Sequence, residues 1–292
     1  MDKQTQQSDG MLSSEGLAEL LGLLATGARK RVSPAVIDGR KVWIKRYDVE
    51  GETVAKRLHH LLSPLLPPHL RASERVDGAG FIERETRKME AFRAAGFPVA
   101  GVVFRNDRVL VLSDAAEIVQ NALNRLRESD PRAHDDLLVG AADALGRLHG
   151  AGLCHGRPHP RDMFVRDGRW GFIDFEEEPE RIAPLATAQA RDVWLLFLQI
   201  SSQALLPDTE ARALLAYRAT APAGILPPLR GIVGLFAPLV PPLRLLEKLA
   251  LGKDGRRLLK ATAFLNTALA SAGTAGGRAP SSPAIGRDRP KG

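Results

Sequence analysis

An α+β fold in two parts is what this sequence predicts: a small strand-rich part with one central helix, then a larger part that is nearly all helical. Three observations carry it. Alternating apolar runs with turn signals at Asp38-Gly39 and Asn106-Asp107 all fall before residue 115. Long amphipathic patterns dominate from Ala133 to Ser271. The chain has 292 residues, 44% of them hydrophobic, which is enough for a two-lobed unit with a sizeable core. Aromatics are only 5%, so that core is mostly Leu, Val, Ile and Ala.

The elements follow in order. Residues 1–14 are polar and expected to be disordered. Ser14 can cap a first helix, Glu15 to Leu24. Val32 to Ile37 and Lys41 to Tyr47, joined by Asp38-Gly39, read as a hairpin in which Val42 and Ile44 alternate with Trp43 and Lys45. A basic, Leu-rich stretch from Thr53 to Arg71 is interrupted by Pro64, Pro67 and Pro68. Glu83 to Ala95 is a helix ended by Gly96, and two strands follow near Val99 to Phe104 and Arg108 to Leu112. Ser113 to Glu117 is a connector, so the small lobe is expected over 15–114 and the helical lobe over 115–272. In the second lobe Ala133 to His149 is a long helix. Met163 to Arg166 and Trp170 to Phe175 form a second hairpin through Asp167-Gly168. From Thr187 the chain reads as helices broken at prolines, and residues 273–292, rich in Gly, Pro, Ser and Arg, as a disordered tail. A cleft between two such lobes is a natural ligand site.

Bulk properties narrow the function. A net charge of +7 and a sequence pI near 9.8 favour anionic partners without choosing among them. Cys154 is the only cysteine, which excludes an intrachain disulfide and a cysteine metal site and fits a reducing cytoplasm. Met1 to Gly10 has no apolar signal core. The longest uncharged apolar stretch, Gly231 to Leu243, contains Pro238, Pro241 and Pro242 and is too short to span a bilayer. The expectation is a cytoplasmic protein that is soluble or at most peripheral at the inner membrane face. A DNA partner is not expected, because no helix-turn-helix or zinc module is present and aromatics for base stacking are few.

Lys45 sits on a strand, where a lysine either reaches a phosphate from a rigid base or lies on the solvent face of an edge. On the helix Glu83 to Ala95, Glu85 shares its face with Met89 and Phe92, while Glu83 and Glu90 fall opposite. An inward carboxylate needs a partner, since burying an unpaired charge is costly, and Lys45 is the candidate. Asp162 precedes the second hairpin and Asp174 ends it, so the two carboxylates can meet. Close carboxylates repel unless a cation lies between them, and an oxygen-only pair suits magnesium. The plain alternative is two turn-capping aspartates. His155 and His159 are four apart, but Pro158 and Pro160 exclude the helix that would make this spacing a zinc pair.

These residues, taken together, resemble the protein-kinase-like superfamily. The likeness runs from about Lys41 to Phe197 and is nearest to the bacterial lipopolysaccharide core and Kdo kinase branch, with relatives among small atypical protein kinases. The resemblance implies a two-lobed fold that binds ATP and Mg2+. Lys45 matches the strand lysine that holds the nucleotide phosphates, and Glu85, ahead of Ala95-Gly96-Phe97-Pro98-Val99, matches its helix glutamate. Leu148-His149-Gly150-Ala151-Gly152 leads into the catalytic loop at His155-Gly156, which His155 supports. Asp174-Phe175-Glu176 stands at the metal-binding Asp-Phe-Gly position. Arg191-Asp192-Val193-Trp194 resembles the segment whose aspartate braces the loop from below.

Two departures matter. Arg157 stands where the family's loop has its catalytic Asp, and Asp162 where it has Asn; an arginine stays protonated and is no base. No Gly-x-Gly-x-x-Gly precedes Lys45, and Gly27-Ala28-Arg29-Lys30-Arg31 is the nearest substitute. Arg157 therefore marks either a nucleotide-binding pseudokinase or scaffold, or a branch-specific solution in which it clamps a phosphate or an anionic acceptor. The first function expected is phosphoryl transfer to a sugar or lipopolysaccharide-type hydroxyl on an anionic sugar or glycolipid. A basic nucleic-acid binder is the outside alternative. Leu243 to Leu251 and Arg257 to Leu269 read as amphipathic helices, either lobe core or a contact with acidic membrane through Arg230, Arg244, Lys248, Lys253, Arg256 and Arg257.

Overall fold

The computed structural model describes residues 12–26, 30–47, 76–242 and 252–275. Its first lobe holds an antiparallel sheet of β1 (Val32–Ile37), β2 (Arg40–Arg46), β3 (Val102–Arg105) and β4 (Val109–Ser113), in the order β1-β2-β4-β3. Asp38 and Gly39 join β1 to β2 with φ of 51° and 69°, the left-handed pair whose twist suits a two-residue hairpin. Helix α1 (Ser14–Thr26) covers the outer face, where Leu20 packs with Ile37, Val42, Ile44, Val109 and Val111. Strand alternation then turns Trp43 and Lys45 to the other face, toward the body of the molecule. The cap of α1 is Ser13 rather than the expected Ser14. Ser13 Oγ accepts from the Gly16 amide at 2.9 Å and also donates to Asp38, a double engagement that ties helix to hairpin.

Helix α2 (Gly78–Ala94) begins five residues before the expected Glu83. Asp77 caps it by accepting from the Gly80 amide at 2.8 Å. The glycines at 78 and 80 hid this start, because glycine weakens a helical pattern. Glu85, Met89 and Phe92 are buried and Glu83 and Glu90 exposed, as the stripe predicts, but Arg84 and Lys88 are buried too.

The second lobe contains α3 (Val119–Ser129), α4 (Pro131–Gly150), the hairpin β5 (Met163–Arg166) and β6 (Arg169–Phe172), then α5 (Leu185–Gln203), α6 (Thr209–Thr220), α7 (Leu226–Phe236) and α8 (Lys253–Ala275). Gly146 lets α4 and α6 approach closely: a Cβ there would lie 2.5 Å from the Tyr217 carbonyl oxygen. The core gathers Leu138, Leu145, Leu148, Phe197, Ile200, Tyr217 and Leu265. Val99 bridges to Phe172, and Arg166 donates to the Asp114 carbonyl at 2.9 Å, so the lobes are stitched behind the cleft. The architecture is mixed α+β, a small antiparallel sheet followed by a mostly helical remainder.

Three expectations need correction. Strand β6 ends at Phe172, so Asp174 lies two residues beyond the hairpin and not at its end. Helix α8 continues to Ala275, three residues into the expected tail. The helical run Ala223–Pro242 has 20 residues and a mean hydropathy of 1.6, with 22% of it buried, which by length and composition alone is enough to cross a membrane. The shorter reading stopped at Arg230, yet one arginine barely lowers the mean over such a length. Residues 1–11, 27–29 of the basic loop, the stretch Thr53 to Arg71, the helix Leu243 to Leu251 and residues 276–292 lie outside the described residues.

Candidate active site between the lobes

Lys45 on β2 and Glu85 on α2 meet in the interior. Lys45 Nζ donates to both carboxylate oxygens of Glu85 at 2.8 Å, and Glu85 is fully buried. Tyr47, two residues along β2, donates its hydroxyl to the same carboxylate. Lys45 also lies 3.2 Å from Asp174 and 3.5 Å from Glu176. Burial works against its ammonium, but Glu85, then Tyr47, Asp174 and Glu176, hold the pKa well above the ordinary lysine value. The lysine is therefore a fixed positive charge at the end of a rigid strand.

Asp174 has φ 67°, a left-handed conformation that Asp tolerates better than most residues and that sites of function often store. Burial opposes its charge, but Lys45 and Arg157 bring its pKa below the usual carboxylate range. Asp162 closes the turn Pro160–Asp162 and is the contrasting group. Burial, then the nearby Asp174 charge, push it up to about 7. Its Oδ2 is buried and accepts no hydrogen bond among the described residues. Its main-chain oxygen accepts from the Ile173 amide at 2.9 Å, which fixes the two aspartate segments side by side. A buried carboxylate oxygen without a hydrogen bond, under the charge of a second carboxylate, is the environment a hard divalent cation relieves. Among the described residues no set of three or more His, Cys, Asp or Glu converges.

The loop that carries Arg157 is held from beneath. Asp192 on α5, fully buried, accepts from the His155 amide at 2.7 Å, the Gly156 amide at 3.0 Å and Cys154 Sγ at 3.2 Å. Burial opposes its charge, but His149, His155 and the Gly156 amide keep its pKa low. Gly156, at φ 104°, has no room for a side chain: a Cβ would lie 2.6 Å from the Glu177 carbonyl oxygen. Arg191 clamps the same turn, donating to the Gly156 carbonyl at 2.6 Å and to Glu177 at 2.7 Å. Arg157 itself is 45% exposed, with Nη2 3.5 Å from Asp174 and Nε 3.8 Å from Glu177. It faces Asp174, the metal-binding candidate.

His155 does not pair with His159. Its Nε2 donates to the Ile173 carbonyl at 3.0 Å, and its ring packs among Phe92, Phe172 and Phe175. Burial first holds it neutral, with a pKa of about 4 against an ordinary 6.5. The sign follows: the unfolded chain takes a proton below pH 6.5 and the folded chain does not until about 4, so His155 subtracts stability as pH falls through that window. Asp162, with its raised pKa, acts oppositely over an overlapping range, so the test is a difference. His155→Gln keeps a donor for Ile173. Urea unfolding of both proteins should show the wild type losing roughly 2 kcal/mol relative to the variant between about pH 7.5 and pH 5. Parallel pH profiles would show that His155 titrates normally.

Sequence reasoning missed a second set of charges. Three cations of α2 reach the segment after Asp174. Arg84 donates to the Glu176 carbonyl and meets Glu178, both at 3.0 Å. Arg87 donates to Glu178 at 2.6 Å. Lys88 donates to the His155 and Glu177 carbonyls at 3.1 and 2.8 Å and meets Glu180 at 2.9 Å. Arg31 pairs with Glu176, so one residue of the basic loop does reach the site. The signal was present as basic residues at 84, 87 and 88 against acidic residues at 176, 177, 178 and 180, but partners some 90 positions apart give no periodic pattern.

No family model matches the chain. A protein of Haemophilus influenzae, described only as uncharacterized, is 26% identical over 168 residues, which cover 57% of this chain and 62% of that protein. The match thus spans less than two thirds of that relative. Among solved structures, the MAP kinase LmaMPK10 from Leishmania major aligns over 74% of this chain and 73% of its own at 18% identity and a TM-score of 0.35.

Proposed function

We propose that this chain is an ATP-dependent phosphotransferase acting on a hydroxyl of an anionic sugar or glycolipid. The observation that carries the reading is the arrangement of Lys45, clamped by Glu85, against Asp174 with Asp162 beside it. Lys45 is a charge suited to the nucleotide phosphates, and the glutamate fixes where that charge stands. Asp162 and Asp174 would hold magnesium, which when bound supplies positive charge against the polyphosphate. Asp192 and Arg191 hold the loop beneath, and Arg157 presents a planar donor fork to an anionic group. Phosphoryl transfer relies mainly on position and charge, so a missing loop aspartate does not by itself end turnover. The exposed Leu235 and Leu239 on the apolar run Ala223–Pro242, with Arg230, support a peripheral contact with an acidic membrane where a glycolipid acceptor would lie.

Arg157 supports a second reading as well, a pseudokinase, since its guanidinium stands 3.5 Å from Asp174 and can neutralise that carboxylate in place of a metal. ADP release with magnesium, run beside ATP binding, separates the two. In an active enzyme Arg157→Ala is expected to lower turnover at least about ten-fold while ATP binding changes little. A wild type that binds ATP without turnover, and gains it in Arg157→Asp, would be the pseudokinase.

A further inference from the structure

A second concavity lies beside the loop, on the helical lobe, and the site described above does not use it. It measures about 530 Å3, within the range of small-molecule sites, and is lined by Gln120 and Asn124 of α3, His159, Gln199 of α5, and Arg257 and Lys260 of α8, among others. No Asp, Glu, Phe, Tyr or Trp side chain is among the described residues lining it, and the one ring there is His159. Gln120 Nε2 donates to Asn124 Oδ1 at 3.0 Å and to Gln203 Oε1 at 2.9 Å, which fixes the orientation of three amides along one wall. Gln199 Oε1 is buried beside the His159 ring, and no hydrogen bond of good geometry satisfies it among the described residues. Such an acceptor calls for an N–H or O–H from a ligand or an ordered water.

We propose that this cavity binds an anionic polyol, a sugar bearing a carboxylate or a phosphate, with Arg257 and Lys260 on the charged group and Gln199, Gln120 and Asn124 on the hydroxyls. Arg256, Arg257 and Lys260, from one turn of α8, line the cavity, and Arg157 and Arg161 of the loop act on the His159 ring within it. Their field is visible on His159, whose ring, mostly buried, is kept neutral by burial and then by Arg161, Arg257 and Arg157. A wall of amides with a single small imidazole suits hydroxyls better than a nucleobase, for which Phe, Tyr or Trp gives the broader stacking face. His159 stands three residues before Asp162, and α3 packs on the turn Pro160–Asp162. The cavity thereby borders the loop segment that carries Asp162, which suits it to hold a phosphoryl acceptor. That last role rests on the phosphotransferase reading; the binding chemistry does not.

The test is calorimetric binding to the full chain without nucleotide, using glucuronate, glucose 6-phosphate, glucose and inorganic phosphate, with octyl glucuronide as the lipid-linked form. Both charged sugars are expected to bind at least about ten-fold tighter than glucose and than inorganic phosphate. Preference between glucuronate and glucose 6-phosphate names the charged group, and a gain for octyl glucuronide over glucuronate names a lipid source. Lys260→Glu, at an exposed position, and Arg257→Ala should each lose about ten-fold for charged sugars, and Gln199→Leu should weaken sugars while leaving ATP binding within about two-fold. Equal affinity for all five probes, or charged-sugar binding untouched by Lys260→Glu, would overturn the site. If the sugars bind and the variants lose them but no probe stimulates ADP release, the cavity stands and the phosphotransferase reading falls. If ADP release responds to a sugar while these variants change nothing, the enzyme stands and the cavity does not hold its acceptor.

Discussion

Asp174→Asn is expected to lower magnesium-dependent ADP release by about a thousand-fold or more, with the fold intact. The substitution is chosen for its backbone: at φ 67° an alanine would be strained, whereas Asn enters the left-handed region readily. What is removed is the charge. A metal at a transferring phosphoryl group is worth several kcal/mol of charge stabilisation, and each 1.4 kcal/mol is about a factor of ten. Two further readouts separate this from a folding defect. Lys45 keeps Glu85 and Glu176 as partners, so urea unfolding should move little. Asp162 loses the neighbouring charge that helps raise its pKa to about 7, so its titration should fall toward the ordinary carboxylate range. In the wild type, manganese or magnesium binding should accordingly strengthen as pH rises through about 7, where Asp162 gives up its proton. Turnover of Asp174→Asn within ten-fold of wild type (about 1.4 kcal/mol) would remove Asp174 from the metal site.

The largest expected effect on stability is at Asp192. Asp192→Ala takes the acceptor from the amides of His155 and Gly156 and the thiol of Cys154, all at a fully buried carboxylate. A buried donor left without a partner costs about 1–3 kcal/mol, and truncating one member of a buried charged network about 3–5. A loss of roughly 3–5 kcal/mol is the expected result of equilibrium urea unfolding. That is a large share of the 5–15 kcal/mol that holds a typical domain. Asp192→Asn should fall between, since its oxygen still accepts while its amide faces the same donors. Loss below about 1 kcal/mol in Asp192→Ala would mean that water or a shifted side chain replaces the carboxylate.

The parts of this molecule that the sequence made legible are those written in local patterns. Strand alternation left Lys45 open between an inner and a solvent face, and the 3.6-residue stripe of Glu85, Met89 and Phe92 aimed the glutamate inward and made the lysine its candidate partner. The hairpin set Asp162 at one end, but Asp174 lies two residues past its last strand, where the bond from the Ile173 amide to the Asp162 carbonyl holds the two segments together. The resemblance named Asp192 before its hydrogen bonds were visible. What stayed hidden depends on distant partners: Tyr47 on Glu85, Arg191 on Glu177, and Arg84 and Lys88 reaching segments some 70 to 90 residues on. Arg84 and Lys88 have the composition of a solvated helix face, and only the acidic run after Asp174 turns them into buried groups. Gly78 and Gly80 concealed the start of α2 for the opposite reason, a weak local preference overruled by a cap and by packing.

The three cations of α2 have a consequence for how this molecule responds to ligands. Arg84, Arg87 and Lys88 fasten the helix that carries Glu85 to the very segment that carries Asp174. Helix and segment therefore form one rigid clasp with few independent degrees of freedom. Rotating the helix outward would break the pairs of Arg84 and Arg87 with Glu178 and of Lys88 with Glu180 while exposing the Lys45–Glu85 pair, so several contacts must break together. A molecule fastened in this way is an assembled device rather than a gated one. Its control would come from supply of substrate, from location in the cell or from abundance, and compounds that recognise a displaced helix would find almost no population to select.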